Sequence, residues 1–270
     1  MALHFHKMHG LGNDFVIVDG REQGVTITPE LARDIADRHR GVGCDQLILI
    51  EKSNKADVSM RIWNHDGSEV ESCGNAARCV VALTGAGTIA TPAGVIEGSA
   101  RGSDIEVSIV EPSFDWQRIP ISYAMDTSAL PMQWGPLKNG FAVNVGNPHV
   151  VFFVDDPDTV NLDQRGPEIE NDPVFPERIN VHVATVRDDG IHMRSWERGA
   201  GLTLACGTGA CATAVAAIAT KRATSPVEVH MPGGSVTITW EKGEKLLMRG
   251  GATHVFEGDL ELEHLARCAS

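Results

Sequence analysis

The chain has 270 residues, a formal net charge of −13 and an isoelectric point of about 5.2. This acidic balance, without a basic stripe, argues against nucleic acid and against an anionic membrane as partners. No apolar stretch reaches the roughly 20 residues of a membrane span, and polar residues interrupt the N-terminal segment, so we expect a cytoplasmic protein without a membrane partner.

The first part of the chain predicts strands around two helices. The first helix starts at the N-cap Thr28, continues through Pro29 and ends at Gly41. The second follows Cys73 and is apolar nearly all round over 76–83, so we expect it to be buried. Alternating apolar residues and turn signals predict strands within residues 4–19, 47–51, 58–64 and 89–110.

The second part predicts the same kinds of element. A proline-punctuated connection over 111–138 leads into it, and a proline-rich acidic loop is expected over 155–176. A buried helix runs from Cys206 to Thr220, and a short helix is expected over 259–267. Strands are predicted over 141–145, 150–154, 179–186, 191–196, 227–231 and 235–240.

Three landmarks recur in the same order at nearly constant spacing. They are Gly12-Asn13 with Gly146-Asn147, Met60-Arg61-Ile62-Trp63-Asn64 with Met193-Arg194-Ser195-Trp196-Glu197, and Cys73-Gly74 with Cys206-Gly207. The offsets are 134, 133 and 133 residues. This period is too long for a solenoid and predicts an internal duplication. We therefore expect two pseudo-symmetric lobes, one of residues 1–117 with 258–270 and the other of residues 118–257.

Each repeated cysteine precedes a predicted buried helix. A thiol at that position faces unpaired backbone N–H groups and the positive end of the helix dipole, a setting that favours the thiolate. The alternative is a small apolar cysteine buried at a helix start. The chain has six cysteines and no C-x-x-C pair, so in a reducing compartment we expect thiols, with Cys44 structural.

Two facing thiols suit the inversion of a carbon acid. One thiolate removes the Cα proton of a small ligand, and the opposite thiol returns a proton to the other face. Free amides at the two helix starts could hold an α-carboxylate and its developing charge. His149 and Glu197 are candidates for tuning the thiol pKa values, and the repeated Asn13 and Asn147 are candidate ligand contacts.

The sequence gives no reason to expect a metal or a cofactor. No His/Cys spacing suits structural zinc, and the 11 histidines are scattered singly along the chain. The glycine loop near residue 10 lacks the third glycine of a dinucleotide fingerprint, and no helix follows it.

The chain resembles the diaminopimelate epimerase family over essentially its whole length. The resemblance rests on residues 7–19, Cys44-Asp45-Gln46, residues 64–79, residues 146–149, Asn180, residues 197–211 and Val255-Phe256-Glu257-Gly258. It implies an α/β (α+β) fold of two lobes, each a mixed or antiparallel sheet wrapped around a central buried helix, with the active site in the interlobe cleft. It also implies a cofactor-independent epimerase, a homodimer, and a role in lysine and peptidoglycan precursor synthesis.

The resemblance assigns roles to individual residues. Cys73 and Cys206 become the proton donor and acceptor, and His149 and Glu197 adjust their pKa values. The implied substrate contacts are Asn13, Gln46, Asn64, Gly74, Asn75, Asn147, Asn180, Glu197, Arg198, Gly207 and Thr208. Two positions depart from the family pattern, because Ala76 replaces a glycine and His65 replaces a small residue.

Two alternatives stay open at this point. A racemase of the same fold acting on another amino acid, such as histidine, would carry the same cysteine pair. Only the distal contacts would separate it, since diaminopimelate has a second amino-acid head that suits Arg198 with Asn64 and Asn180. A binding or thiol-redox protein is the other alternative, although a redox pair needs one attacking and one resolving sulfur.

Overall fold

The computed structural model describes residues 2–71, 73–102 and 104–263. The chain divides into two compact units, one of residues 1–107 with 250–270 and one of residues 108–249. The lobe boundaries expected from the sequence, after residues 117 and 257, lie 10 and 8 residues further along the chain than those of the structure, since 117 − 107 = 10 and 257 − 249 = 8. Cys268 and the end of the helix expected over 259–267 lie outside the described residues.

The first unit contains two helices and the strands of the N-terminal part of the chain. Its helices are α1 (Pro29–Ala36) and α2 (Gly74–Thr84). Its strands are β1 (Ala2–Gly10), β2 (Asn13–Asp19), β3 (Gln46–Glu51), β4 (Val58–Asn64), β5 (Glu69–Val70), β6 (Thr88–Thr91), β7 (Gly94–Arg101), β8 (Asp104–Ile109, which continues past the boundary) and β19 (Thr253–Glu261).

The second unit contains a short 3-10 turn (Pro157–Thr159) and two α-helices, α3 (Leu162–Glu170) and α4 (Gly207–Ala219). Its strands are β9 (Gln133–Trp134), β10 (Leu137–Lys138), β11 (Phe141–Asn144), β12 (Pro148–Phe153), β13 (Asn180–Arg187), β14 (Gly190–Glu197), β15 (Gly201–Thr203), β16 (Val227–Met231), β17 (Gly234–Thr239) and β18 (Leu246–Gly251).

The two units pair their strands in the same succession. In the first, β1–β2 is antiparallel, β2–β3 parallel, β3–β4 antiparallel, β4–β6 parallel and β6–β7 antiparallel. In the second, β11–β12, β12–β13, β13–β14, β14–β16 and β16–β17 repeat those directions in order. The predicted fold of two α/β lobes with mixed sheets is confirmed.

The central helices are buried because their sequences are apolar on nearly every side. α2 packs against β1, β2 and β7, and α4 packs against strands of the second unit from β11 to β17. α2 ends at Gly85, whose φ of 69° is the left-handed conformation that glycine adopts readily. Within the described residues, no helix is both long and apolar enough to cross a membrane.

The structure differs from the sequence prediction at several elements. α1 ends at Ala36 and not at Gly41, and the short strands β5, β9, β10 and β15 were not predicted. α3 replaces part of the loop expected over 155–176, and the chain tolerates Pro167 inside it. β18 was not predicted. β19 runs through Glu261, so the helix expected from residue 259 is wrong for 259–261, whereas the last described residues, Leu262 and Glu263, are helical.

Candidate active site

The start of α2 places Cys73 at the N-cap. Cys73 has extended backbone angles, with φ −148° and ψ 116°, and its carbonyl accepts the first intrahelical bond from Ala77 at 2.9 Å. The amides of Gly74 and Asn75 precede that bond and therefore have no carbonyl of the helix to donate to. The predicted helix start at this cysteine is confirmed.

The side chain of Asn13 lies beside this helix start. Its Oδ1 is 3.9 Å from Cys73 Sγ and accepts a hydrogen bond from Asn75 Nδ2 at 3.3 Å. Its Nδ2 donates to Asp45 at 3.1 Å, and Asp45 is paired with Arg38 at 2.8 Å. Asn13 is therefore held on both sides of its amide and oriented towards the cysteine.

A buried arginine supports the same region from within the unit. Arg78 has no exposed surface, and its Nη2 donates to Asn75 Oδ1 at 3.0 Å. Its Nε donates to the carbonyl of Gly251 at 3.4 Å. Arg78 thus fixes the amide of Asn75, which in turn holds Asn13.

Gln46 and Asn64 are paired neighbours on β3 and β4. Gln46 Nε2 donates to Asn64 Oδ1 at 3.0 Å, and Asn64 Nδ2 donates to Ser68 at 3.1 Å. Gln46 Oε1 is buried and has no hydrogen-bond partner among the described residues. A buried acceptor without a hydrogen-bond partner costs about 1–3 kcal/mol of folding free energy. A ligand that donates a hydrogen bond to Gln46 Oε1 would recover this free energy.

The start of α4 places Cys206 in the same capping conformation, with φ −127° and ψ 106°. Its Sγ accepts a hydrogen bond from the amide of Gly209 at 3.3 Å and lies 3.7 Å from Thr208 Oγ1. The side chain of Cys206 is buried. The two cysteines thus occupy equivalent positions at two equivalent helices.

The expectation that the helix start makes Cys206 a thiolate is wrong for this structure. Burial raises its pKa well above the usual value, and the charge of Glu197 and a hydrogen bond to it raise the pKa further. The Gly209 amide and Thr208 lower the pKa but do not offset the burial. Cys206 is therefore a neutral thiol, with a carboxylate beside it that can accept its proton.

Glu197 itself is fixed by a neighbouring strand. Its Oε1 accepts a 2.6 Å hydrogen bond from Thr203 on β15, and β15 pairs with β14 through Glu197 and Gly201. Glu197 was expected to adjust the thiol pKa without a stated direction, and in this structure it raises the pKa of Cys206.

His149 belongs to a buried chain of hydrogen bonds that the sequence analysis did not foresee. His149 Nε2 lies 2.7 Å from Asn147 Oδ1, and His149 Nδ1 lies 2.8 Å from His182 Nε2. His182 Nδ1 lies 2.9 Å from Ser195 Oγ. Both histidines are fully buried.

The chemistry of Asn147 fixes the direction of this chain. Its Oδ1 can only accept, so His149 donates from Nε2 and accepts at Nδ1 from His182 Nε2. His182 then accepts at Nδ1 from the hydroxyl of Ser195. Both imidazoles are neutral, since burial lowers the pKa of His182 to about 3 and lowers that of His149 well below its usual value.

This chain touches the start of α4 through His182. A Cβ atom on Gly209 would lie 2.5 Å from His182 Cε1 and 3.0 Å from Cys206 Sγ. Both nitrogens of His149, by contrast, are occupied by Asn147 and His182. His149 could donate to a thiol only by giving up one of those partners.

Asn180 and Arg198 are linked at the edge of β13. The backbone amide of Arg198 donates to Asn180 Oδ1 at 2.9 Å, and Asn180 Nδ2 donates to the carbonyl of Pro148 at 2.8 Å. Arg198 Nη1 donates to the carbonyl of Glu177 at 3.0 Å. The predicted contacts Asn147, Asn180 and Arg198 therefore lie in one connected network of the second unit.

Glu170 on α3 holds the turn that follows β14. It accepts hydrogen bonds from Trp196 Nε1 at 2.7 Å and from the amide of Gly199 at 2.9 Å, and Arg178 pairs with it at 3.3 Å. The sequence analysis missed this residue because it read the segment as a loop. The spacing of the duplication could have found α3, since α1 occupies the equivalent place between β2 and β3.

The other described cysteines belong to the core. Burial raises the pKa of Cys44 to about 11 and that of Cys79 to about 12, so both are protonated. Cys211 is buried in α4. All the described cysteines are free thiols.

Sequence relatives identify the family. A family model described as diaminopimelate epimerase matches residues 5–113 and 141–255. The diaminopimelate epimerase of Rhizorhabdus wittichii is 57% identical over 265 residues, with 97% of each chain covered. That of Sphingopyxis alaskensis is 55% identical over 263 residues, covering 97% of this chain and 98% of its own.

Solved structures show the same fold at low identity. A PhzF-family phenazine biosynthesis protein of Bacillus anthracis has a TM-score of 0.70 and 18% identity, covering 97% of this chain and 99% of its own. A hydroxyproline epimerase of Agrobacterium vitis, with bound trans-4-hydroxy-L-proline, has a TM-score of 0.68 and 14% identity, covering 96% and 92%. These likenesses concern the fold alone.

Proposed function

The chain belongs to the diaminopimelate epimerase family, and we propose that it is an isomerase that interconverts LL- and meso-2,6-diaminopimelate. Cys73 and Cys206 are its two proton-transferring groups. The observation that supports this assignment is the pair of cysteines at the N-caps of two equivalent buried helices. The reaction belongs to the synthesis of lysine and of peptidoglycan precursors.

The proposed reaction moves two protons and needs no redox step. One sulfur, as thiolate, removes the proton from Cα and leaves a carbanion. The other sulfur, as thiol, delivers its proton to the opposite face of the same carbon, which inverts the centre. Because Cys206 is neutral in the free protein, it is the donor in one direction, with Cys73 as the base.

The reverse direction requires Cys206 to lose its proton first. Glu197 is the carboxylate that can accept it, since it is hydrogen-bonded to the thiol. A substrate that brings its own charges into the site would then shift the balance towards the thiolate. We assign to Glu197 the adjustment of the Cys206 pKa, and to His149 an influence exerted through its partner Asn147.

The weak acidity of the Cα–H sets the main energetic demand. The free amides of Gly74, Asn75, Gly207 and Thr208 can stabilise the α-carboxylate and the charge that develops on it. Preorganised donors of this kind each contribute on the order of 3–4 kcal/mol to transition-state stabilisation.

The remaining predicted contacts are assigned to the substrate's polar groups. Gln46 offers a buried acceptor without a partner among the described residues, which suits an ammonium group. Asn13 and Asn147 present amides that are already oriented by their own partners. Asn64, Asn180 and Arg198 are assigned to the distal amino-acid head, which distinguishes diaminopimelate from histidine and other small amino acids.

Proton exchange with solvent tests this function directly. LL-diaminopimelate in deuterated water, without added cofactor or metal, should gain one deuterium at Cα as it converts to the meso form, followed by NMR and mass spectrometry. Cys73→Ala and Cys206→Ala should each abolish inversion while circular dichroism stays unchanged. Label entering only histidine would overturn the substrate assignment, and full turnover by either variant would overturn the two-base mechanism.

A homodimer, which the family resemblance implies, and a cytoplasmic location, which the sequence patterning favours, complete the proposal. Sedimentation of the purified chain would test the first, since a monomer at all concentrations contradicts it. Fractionation of the source cells would test the second. A thiol-redox role is not favoured, because the relatives are named as epimerases and the two cysteines occupy equivalent N-cap positions.

A further inference from the structure

The ribbon formed by β1 and β19 in the first unit gathers histidines from both ends of the chain. The two strands are antiparallel, and the register pairs His4 with Asp259 and His6 with Glu257. Directly paired residues point to the same face of a sheet. One face of the ribbon therefore carries two imidazoles opposite two carboxylates.

A bulge adds a third histidine to that face. The register shifts between Lys7 and Met8, so that Lys7 pairs with Phe256 and Met8 pairs with His254. In a regular strand His254 and Glu257, three positions apart, would point to opposite faces. The extra residue re-aims His254, as bulges do, and brings it beside Glu257.

The three ligand atoms, which contact one another by a hydrogen bond and by ion pairs, lie at distances that would also suit a shared metal ion. His6 Nδ1 lies 3.2 Å from His254 Nε2 and 3.4 Å from Glu257 Oε2, and His254 Nε2 lies 3.9 Å from that oxygen. Bonds of about 2.0–2.1 Å to zinc in a tetrahedral site separate neighbouring ligands by about 3.3 Å. A triangle of these three sides has its corners about 2 Å from a common centre, which matches that bond length.

His4 lies near two of these three ligands. One ligand atom each of His4, His6 and Glu257 lies within 4.8 Å of the other two. His4 Nδ1 is 3.0 Å from Asp259 Oδ1, the histidine–carboxylate contact that orients metal-binding imidazoles.

We propose that His6, His254 and Glu257 form a site for a divalent transition-metal ion of the zinc class, with His4 or water as the fourth ligand. Two or three imidazoles with one carboxylate suit zinc, whereas magnesium and calcium prefer oxygen ligands throughout. The histidines are scattered in the sequence, and only the pairing of the first and last strands unites them. The bound ion would clamp β19 to β1, so its effect is on the stability of the first unit.

A second group in the other unit is less well arranged for a metal. His192 Nε2 lies 2.9 Å from Asp189 Oδ1, but His230 Nε2 already donates to the backbone carbonyl of Asp189 at 3.0 Å. The stacked rings of His192 and His230, 4.6 Å between centroids, present faces rather than lone pairs to each other. This group therefore serves as an internal control.

Metal binding to the untagged, metal-free full chain tests the site. We expect one equivalent of Zn²⁺ by isothermal titration, and a Co²⁺ complex with visible d–d bands and no sulfur-to-cobalt charge-transfer band, which would exclude the cysteines as ligands. His254→Ala and Glu257→Gln should each weaken Zn²⁺ binding at least tenfold, by the usual effect of losing a ligand or its support. Zn²⁺ should also raise the Tm of the native chain but not of these variants.

The controls make the outcome decisive. His192→Ala should bind Zn²⁺ as the native chain does, and circular dichroism should show that every variant is folded. Cys73→Ala should also bind normally, which separates this site from the proposed reaction. Absence of stoichiometric binding, binding undiminished by His254→Ala, or binding lost equally in His192→Ala would each overturn the proposal.

Discussion

The two helix starts have the same backbone arrangement and different interiors. In the first unit, β2–β3 and β3–β4 bring together apolar side chains, and in the second, β12–β13 and β13–β14 bring together polar ones. The equivalent positions are Phe15 and His149, Ile48 and His182, and Ile62 and Ser195. All six side chains are buried.

The third residue of each helix reflects this difference between the two interiors. Ala76 in α2 is fully buried in an apolar setting, and its equivalent in α4 is Gly209. A Cβ at Gly209 would meet the ring of His182 at 2.5 Å. Ala76 stands where the family has a glycine, and the first unit has Ile48 at the position equivalent to His182.

In the first unit a buried polar side chain lies on the central helix and not on the strands beneath it. Arg78, one turn into α2, is fully buried, and its equivalent in α4 is the small Cys211. One unit thus supports its helix start with a buried cation, and the other with a chain of neutral imidazoles. The duplicated backbone keeps a cysteine at the start of each central helix, while the buried side chains that support the helix start differ between the units. The two sulfurs therefore have different surroundings.

The largest effect is expected from removing the buried cation. Arg78→Met leaves Asn75 Oδ1 without its donor, and hydrogen bonds from charged groups contribute about 1.5–3 kcal/mol each. We expect the free energy of unfolding to fall by about 3 kcal/mol and KM to rise as Asn13 loses its support. Urea titration and steady-state kinetics measure the two effects.

A matched exposed arginine separates this effect from a general loss of charge. Arg40 pairs with Asp37 at 3.0 Å on the surface, so Arg40→Met should change stability by less than about 1 kcal/mol. Equal losses in both variants would show that Arg78 has no special supporting role.

Local sequence patterns predicted much of the fold because each pattern has a local physical cause. Thr28 caps α1 by accepting from Leu31 N at 3.2 Å, and the apolar run after each repeated cysteine became a buried helix. The duplication predicted the shared strand order. The duplication pointed to Cys73, Cys206, Asn13 and Asn147, whereas the remaining substrate contacts came from the family resemblance.

The parts that the sequence did not predict depend on distant pairing. The segment from Asp259 alternates charge and apolar residues in a way that fits a helix or a strand, and its pairing with β1 decides for a strand. His182 looks like an ordinary strand residue until its neighbours His149 and Ser195 are placed beside it. The expectation of a thiolate at Cys206 was wrong, because a position at a helix start does not reveal that the thiol is buried or that Glu197 lies beside it.

A smaller effect is expected from adding one carbon at the start of α4. Gly209→Ala gains about 1 kcal/mol of helix propensity, but overpacking against His182 costs about 1–3 kcal/mol. We expect a net loss of stability with reduced turnover, because Cys206 Sγ also lies 3.0 Å from the new atom. Thermal unfolding and deuterium exchange at Cα measure these changes.

A double-mutant cycle makes this prediction sharper. In a His182→Ala background the contact is gone, so Gly209→Ala should become neutral or stabilising. The control in the first unit is Ala76→Gly, which should cost about 1 kcal/mol through helix propensity alone. A Gly209→Ala penalty that persists without His182 would show that the imidazole is not the cause.

The smallest effect at neutral pH is expected from replacing the whole polar chain. The variant His149→Leu/His182→Leu/Ser195→Ala removes donors and acceptors together, and such replacements are often nearly neutral because no buried group is left unpaired. We expect its stability at pH 7 to lie within about 2 kcal/mol of the native value. The difference should appear on acidification.

The sign of that difference follows from the lowered pKa values of the two histidines. The folded protein keeps His149 and His182 neutral, with the pKa of His182 at about 3, whereas the unfolded chain takes up protons below about pH 6.5. Native stability should therefore fall as the pH drops through 6.5, by about 2 kcal/mol per histidine at pH 5. Urea titrations between pH 7 and pH 5 should show this loss in the native chain and a much flatter profile in the triple variant. His39→Ala, at an exposed histidine, should follow the native profile. Parallel profiles for the native chain and the triple variant would mean that the folded protein takes up protons at the two histidines as readily as the unfolded chain does, and that burial does not lower their pKa values.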